Sequence, residues 1–90
     1  MSQKQIPVLN PDYHLEKIDN EILLYSLSST QAVYLNETAG LIWELCDGNR
    51  TIEEMIVLLV QSYPEQKAQV RSDVIATTQT LVKNGAMTLI

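Results

Sequence analysis

Residues 34–60 read YLNETAGLIWELCDGNRTIEEMIVLLV. In this stretch the hydrophobic period changes once, and two helix starts and one helix stop follow in close order. Nothing else in the chain constrains its fold as tightly. Asn36 is a good N-cap, and Glu37 puts a negative charge in the first turn, where the helix dipole favours it. Ala39, Ile42, Trp43 and Cys46 then recur at spacings of three and four, with Leu41 and Leu45 widening the same apolar face. Asp47-Gly48 stops the helix, with Gly48 placed for a left-handed cap. Thr51-Ile52-Glu53-Glu54 matches a capping box for the next helix. Ile52, Met55, Ile56, Leu59 and Val60 form the buried stripe of that helix, and Tyr63-Pro64 ends it.

Before residue 36 the chain reads as strands. IPVLNPDY, with two prolines, is expected to run extended into the sheet. Residues 13–18 alternate apolar and polar side chains, 19–21 turn, 22–28 are rich in β formers, 29–30 turn again, and 31–36 form a third strand. Short turns make an antiparallel meander the default. After residue 64 a third helix is expected from about 67 to 84, with Val70, Val74, Thr77 and Leu81 on its buried stripe and Gly85 as its stop. Residues 87–90 return as a short strand or pack extended. The fold class is α+β and winged helix-turn-helix-like, with a three-stranded antiparallel sheet followed by three helices.

Ninety residues fit one domain, 1–90, with 1–6 read as flexible. The longest apolar run, residues 55–60, is far short of the roughly 20 residues that span a bilayer. MSQKQIPVLN lacks a signal-peptide core, so the chain is expected to be soluble and cytoplasmic. A single cysteine, Cys46, cannot form an internal disulfide or supply a zinc or iron–sulfur site alone, and no metal or cofactor is expected. The net charge of -5 argues against a nucleic-acid partner. The charge is uneven, because the basic side chains Lys67, Arg71 and Lys83 face only Asp73 in the last quarter. His14 reads as an edge residue, Cys46 as a small core hydrophobe, Trp43 as core, and Glu53-Glu54 as first-turn helix chemistry.

VYLNETAGLIWELCDGNRTIEEMIVLLVQSYP, followed by DV at 73–74 and LVKNGA at 81–86, resembles the PqqD-like proteins, also called RiPP recognition elements. The resemblance covers about residues 7–88. It implies a protein that holds the leader segment of a ribosomally made precursor peptide and presents the core to a modifying enzyme, often a radical SAM protein. It further implies that the leader adds a strand to the edge of the three-stranded sheet, beside the third helix. On the third strand, Gln31, Val33 and Leu35 would then face one way and Ala32 and Tyr34 the other. On the helix, Asp73, Ala76, Thr77 and Thr80 recur at three- or four-residue spacing and are mostly small, leaving room for a guest. Arg71 and Lys83 are placed to attract acidic leader residues at the rim.

Three other classes fit less well. A winged-helix DNA-binding regulator fits the architecture but not the charge. An acyl-carrier module needs an Asp-Ser-Leu context, and here Ser72 precedes Asp73 with no Leu following. An enzyme is disfavoured, because no Cys–His or Ser–His–Asp set, metal spacing or phosphate loop is present.

Overall fold

The computed structural model describes residues 2–90; Met1 lies outside the described residues. Eight elements follow one another: β1 (Pro7–Leu9), β2 (Tyr13–Ile18), β3 (Glu21–Ser26), β4 (Ala32–Leu35), α1 (Glu37–Leu45), α2 (Ile52–Ser62), α3 (Lys67–Lys83) and β5 (Met87–Leu89). A single 3₁₀ turn, Pro64–Gln66, joins α2 to α3.

The sheet is the expected meander, β2-β3-β4, antiparallel throughout. Its first turn needs no glycine because Asp19 itself takes a left-handed φ of 55°. Asp tolerates that region better than most residues. The strand read as 22–28 stops at Ser26. Beyond it the Asp12 carboxylate accepts hydrogen bonds from the Ser26 and Ser28 hydroxyls and from the Ser28 amide, which bends the chain into a loop. Those bonds, led by the one from Ser26, hold the Asp12 carboxyl below its usual range.

The opening segment does not join this sheet. Pro7–Leu9 pairs instead with β5, forming a separate two-stranded ladder. The cause lies at the end of α3. Gly85 takes a φ of 82°, the Ala86 amide reaches the Leu81 carbonyl (3.0 Å), and the Gly85 amide reaches the Val82 carbonyl (3.1 Å). This 6→1 and 5→2 pattern reverses the chain and delivers β5 to β1. Residues 3–6, read as flexible, are likewise held. The carbonyls of Gln5 and Gln3 accept the amides of Ile52 and Glu53, two of the four orphan donors at the start of α2. The capping box supplies the other side-chain bonds there: Glu54 amide to Thr51 Oγ1 (3.1 Å), and Thr51 amide to Glu54 Oε1 (2.9 Å).

α1 starts as expected, with the Ala39 amide on Asn36 Oδ1 at 2.8 Å. Its stop differs. The helix ends at Leu45 with Cys46 extended, and Gly48 (φ 84°) sits two residues further on, in a turn. Asp47 Oδ1 holds that turn by accepting the Asn49 and Arg50 amides. The core lies between the sheet and the helices, with Leu24, Ile42, Trp43, Ile52, Met55, Ile56, Val74 and Leu81 buried in it. On α3 the buried threonine is Thr78 rather than Thr77. Its neighbours Val74 and Leu81, four before and three after it, set the buried stripe. Thr77 is thereby turned to the rim.

Candidate functional site

Antiparallel pairing alternates, so every second residue of an edge strand turns its N–H and C=O away from the sheet. The Ser26 amide donates to the Gln31 carbonyl at 3.1 Å, which makes 26 and 31 a hydrogen-bonded pair. In the same register Leu24 faces Val33 and Ile22 faces Leu35 as the next such pairs. The main-chain groups of Ala32 and Tyr34 therefore point outward, and among the described residues β4 pairs with β3 alone. A row of unpaired donors and acceptors of this kind is a template for another strand.

Side chains alternate in step with the main chain. Val33 and Leu35 are half-buried and turn inward, whereas Ala32 and Tyr34 are exposed, Tyr34 to 71%. This settles which way each set on the third strand faces. Beside the open edge runs a groove of about 330 Å³ between β4 and α3. Val33, Tyr34 and Leu35 line one side, and Asp73, Ala76, Thr77 and Thr80 line the other. Seven of the residues singled out from the sequence thus meet at one groove. Sequence reasoning missed Leu81 on α3, and Asn36, Thr38 and Ala39, which close one end of the groove at the start of α1. The signal for the last three was available, because a helix capped at Asn36, directly after an edge strand, must put its first turn at the end of that edge.

The remaining four residues take other places. Ala32 lies on the edge strand outside the groove lining. Gln31 stands just before β4, where its Oε1 and the Asn84 carbonyl both lie within reach of the Tyr13 hydroxyl (3.2 and 3.0 Å). The hydroxyl has one proton to donate, and it sits where the start of the edge strand meets the C-terminal cap of α3. Arg71 is not at the rim. Its guanidinium pairs with Glu53 (3.2 Å) and donates to Gln3 Oε1 (3.0 Å), so it fastens α3 to α2 and the N-terminal segment. A helix turns 100° per residue, which puts position 71 on the side of α3 away from Asp73. Lys83 is exposed in the last turn of α3, beyond the groove lining, and has no ion-pair partner among the described residues.

Among the described residues no group of three or more His, Cys, Asp or Glu is arranged to hold a metal. Nor is any helix among them long and apolar enough to cross a membrane. His14 lies on the outer sheet face with its ring 6.0 Å from that of Tyr25. Cys46 is buried against Met55, and burial pushes its thiol up to about 12.

This small α+β domain sets the open β4 edge of its sheet beside a shallow groove lined mainly by short side chains of α3, an arrangement suited to an added strand. The chain belongs to the PqqD family: the family model of coenzyme PQQ synthesis protein D (PqqD) matches residues 21–86, well over half of its length. A solved structure with the same fold is TbiB1 in complex with the TbiA(beta) leader peptide. Its TM-score is 0.72 at 19% sequence identity, over 88% of this chain and 92% of that one. Among curated protein sequences nothing matches.

Proposed function

We propose that this protein binds the leader segment of a ribosomally synthesised precursor peptide as an added strand on β4, and presents the core of that peptide to a separate modifying enzyme. The outward N–H and C=O groups of Ala32 and Tyr34, set beside a groove walled by Ala76, Thr77 and Thr80, carry this reading. Backbone pairing binds many sequences, and alternate peptide side chains entering the groove between Val33, Leu35 and Thr77 select among them. Membership of the PqqD family supports the reading, as does the fold shared with a protein solved with a leader peptide. A radical SAM enzyme is the partner the family favours.

In this reading the chain performs no chemistry of its own. Its one thiol is protonated and inaccessible at neutral pH. Its contribution is positional: it fixes the leader so that the core reaches the enzyme at high effective concentration. Tyr13 and the Gly85 reversal act as scaffold at the C-terminal end of α3.

Titration calorimetry of the full chain against the leader of the precursor encoded nearest its gene tests this. A dissociation constant in the nanomolar-to-micromolar range is expected for so small an interface. Ala76→Trp, which fills the groove at an exposed position, is expected to weaken it by at least about ten-fold. Absence of binding at high micromolar concentration, with and without the enzyme, contradicts the proposal.

A further inference from the structure

A second, larger cleft adjoins the groove. It holds about 560 Å³ between the β2–β3 hairpin tip, α1 and the α2–α3 corner. Thr38 and Asp73 belong to both, so the two are continuous at the first turn of α1. The floor is apolar: Ile22, Leu41, Leu59 and Val70 line it. Gly40 lines it too, and a Cβ there would stand 2.9 Å from the Ile22 Cδ1 atom.

The rim is acidic. Lys17 is the only cation among the lining residues, and Glu44 holds it at 3.0 Å. Asp19, Glu21, Glu37 and Asp73 also line the cleft and have no cationic partner among the described residues. The other end of the edge, at Gln31, lies by the Tyr13 hydroxyl and the C-terminal cap of α3, away from this cleft. A strand on β4 that continues past the end of the edge therefore runs towards Asp73 and into this cleft.

We infer that the cleft receives a basic flank of the same guest peptide, with lysine or arginine stems along the apolar floor and their charges at the carboxylate rim. The inference rests on the strand-acceptor reading above. Long basic side chains suit such a site, because they bury their stems while keeping the charge in solvent. An extended chain advances about 3.3 Å per residue and a helix 1.5 Å. Passing from Asp73 back to Gln66, just before α3, thus corresponds to about three peptide residues, so the basic positions fall directly beyond the strand-paired segment. Steering by the unpaired carboxylates would raise the association rate and fix peptide direction, since only one end of the guest carries the charge.

The test uses the full chain and a short peptide selected against it from a random display library. The peptide is made with a lysine, serine or glutamate triplet appended at either end. At one end only, the lysine version is expected to bind about ten-fold tighter than the glutamate version at low salt, with the gap closing near 0.5 M salt. The gap should also close in the Asp19→Asn/Glu21→Gln variant, whose exposed positions leave the thermal midpoint unchanged. Equal affinity of all versions, or a gap that persists in that variant, overturns the inference; if Ala76→Trp still weakens binding, strand acceptance stands. Failure to select any peptide, or binding indifferent to Ala76→Trp, overturns both.

Discussion

Single side chains decide both the spacing and the strain of this molecule. Thr78 is wholly buried, and its Oγ1 has no hydrogen-bond partner among the described residues. A hydroxyl in that state costs roughly 1–3 kcal/mol. Thr78→Val keeps the shape and removes the hydroxyl. The expected outcome is a gain of about 1 kcal/mol in denaturant unfolding, while a loss would mean that the hydroxyl has a partner in solution. The sequence could not separate Thr77 from Thr78, because both are β-branched, similar in size, and adjacent on the helix. Only the phase of Val74 and Leu81, set by packing against the other helices, assigns one to the core and the other to the groove. Arg71 was misplaced for a related reason. Its charge suggested the rim, but its place on the helix turns it towards Glu53 and Gln3, where an ion pair was available.

At the scale of elements, β4 is only four residues long, and its two alternations do separate jobs. Val33 and Leu35 carry the ladder to β3, and Ala32 and Tyr34 carry the open edge. A proline scan separates them. Ala32→Pro removes an outward N–H, a change that edge strands tolerate, so the fold should survive while guest binding falls at least about ten-fold. Val33→Pro removes a ladder donor and leaves the Leu24 carbonyl unpaired, and should destabilise the protein by roughly 1–3 kcal/mol, as read by its thermal midpoint. Equal effects of the two on stability would mean that the register is wrong. The meander and the three helices were legible from period and caps alone, since Asn36, Thr51 and Gly85 each satisfy a backbone group that the sequence exposes. The β1–β5 ladder was not, because three-residue strands carry no period. Their pairing depends on where the Gly85 reversal sends the chain.

Taken whole, the molecule is stabilised at its corners by carboxylates that accept hydrogen bonds from nearby backbone or hydroxyl groups. Asp12, Asp47 and Glu54 are all held below their usual range, chiefly by Ser26, by the Asn49 amide and by the Thr51 amide respectively. A depressed folded-state pKa gives stability that is complete above the unfolded value, near 4, and is lost as pH falls through the folded one. Urea midpoints should therefore hold from neutral pH to about 5 and decline below about 4, and Asp12→Asn should flatten that decline. A midpoint that rises on acidification would contradict this assignment. The central claim, that a guest peptide becomes the next strand of the sheet, is tested most directly by amide hydrogen exchange with and without bound leader. The amides of Val33 and Leu35 should be slow in both states, and those of Ala32 and Tyr34 should be fast in the free protein and slowed at least about ten-fold by the peptide. Bound peptide that leaves Ala32 and Tyr34 fast, or that protects the outer edge of β2 instead, would show that the guest lies elsewhere.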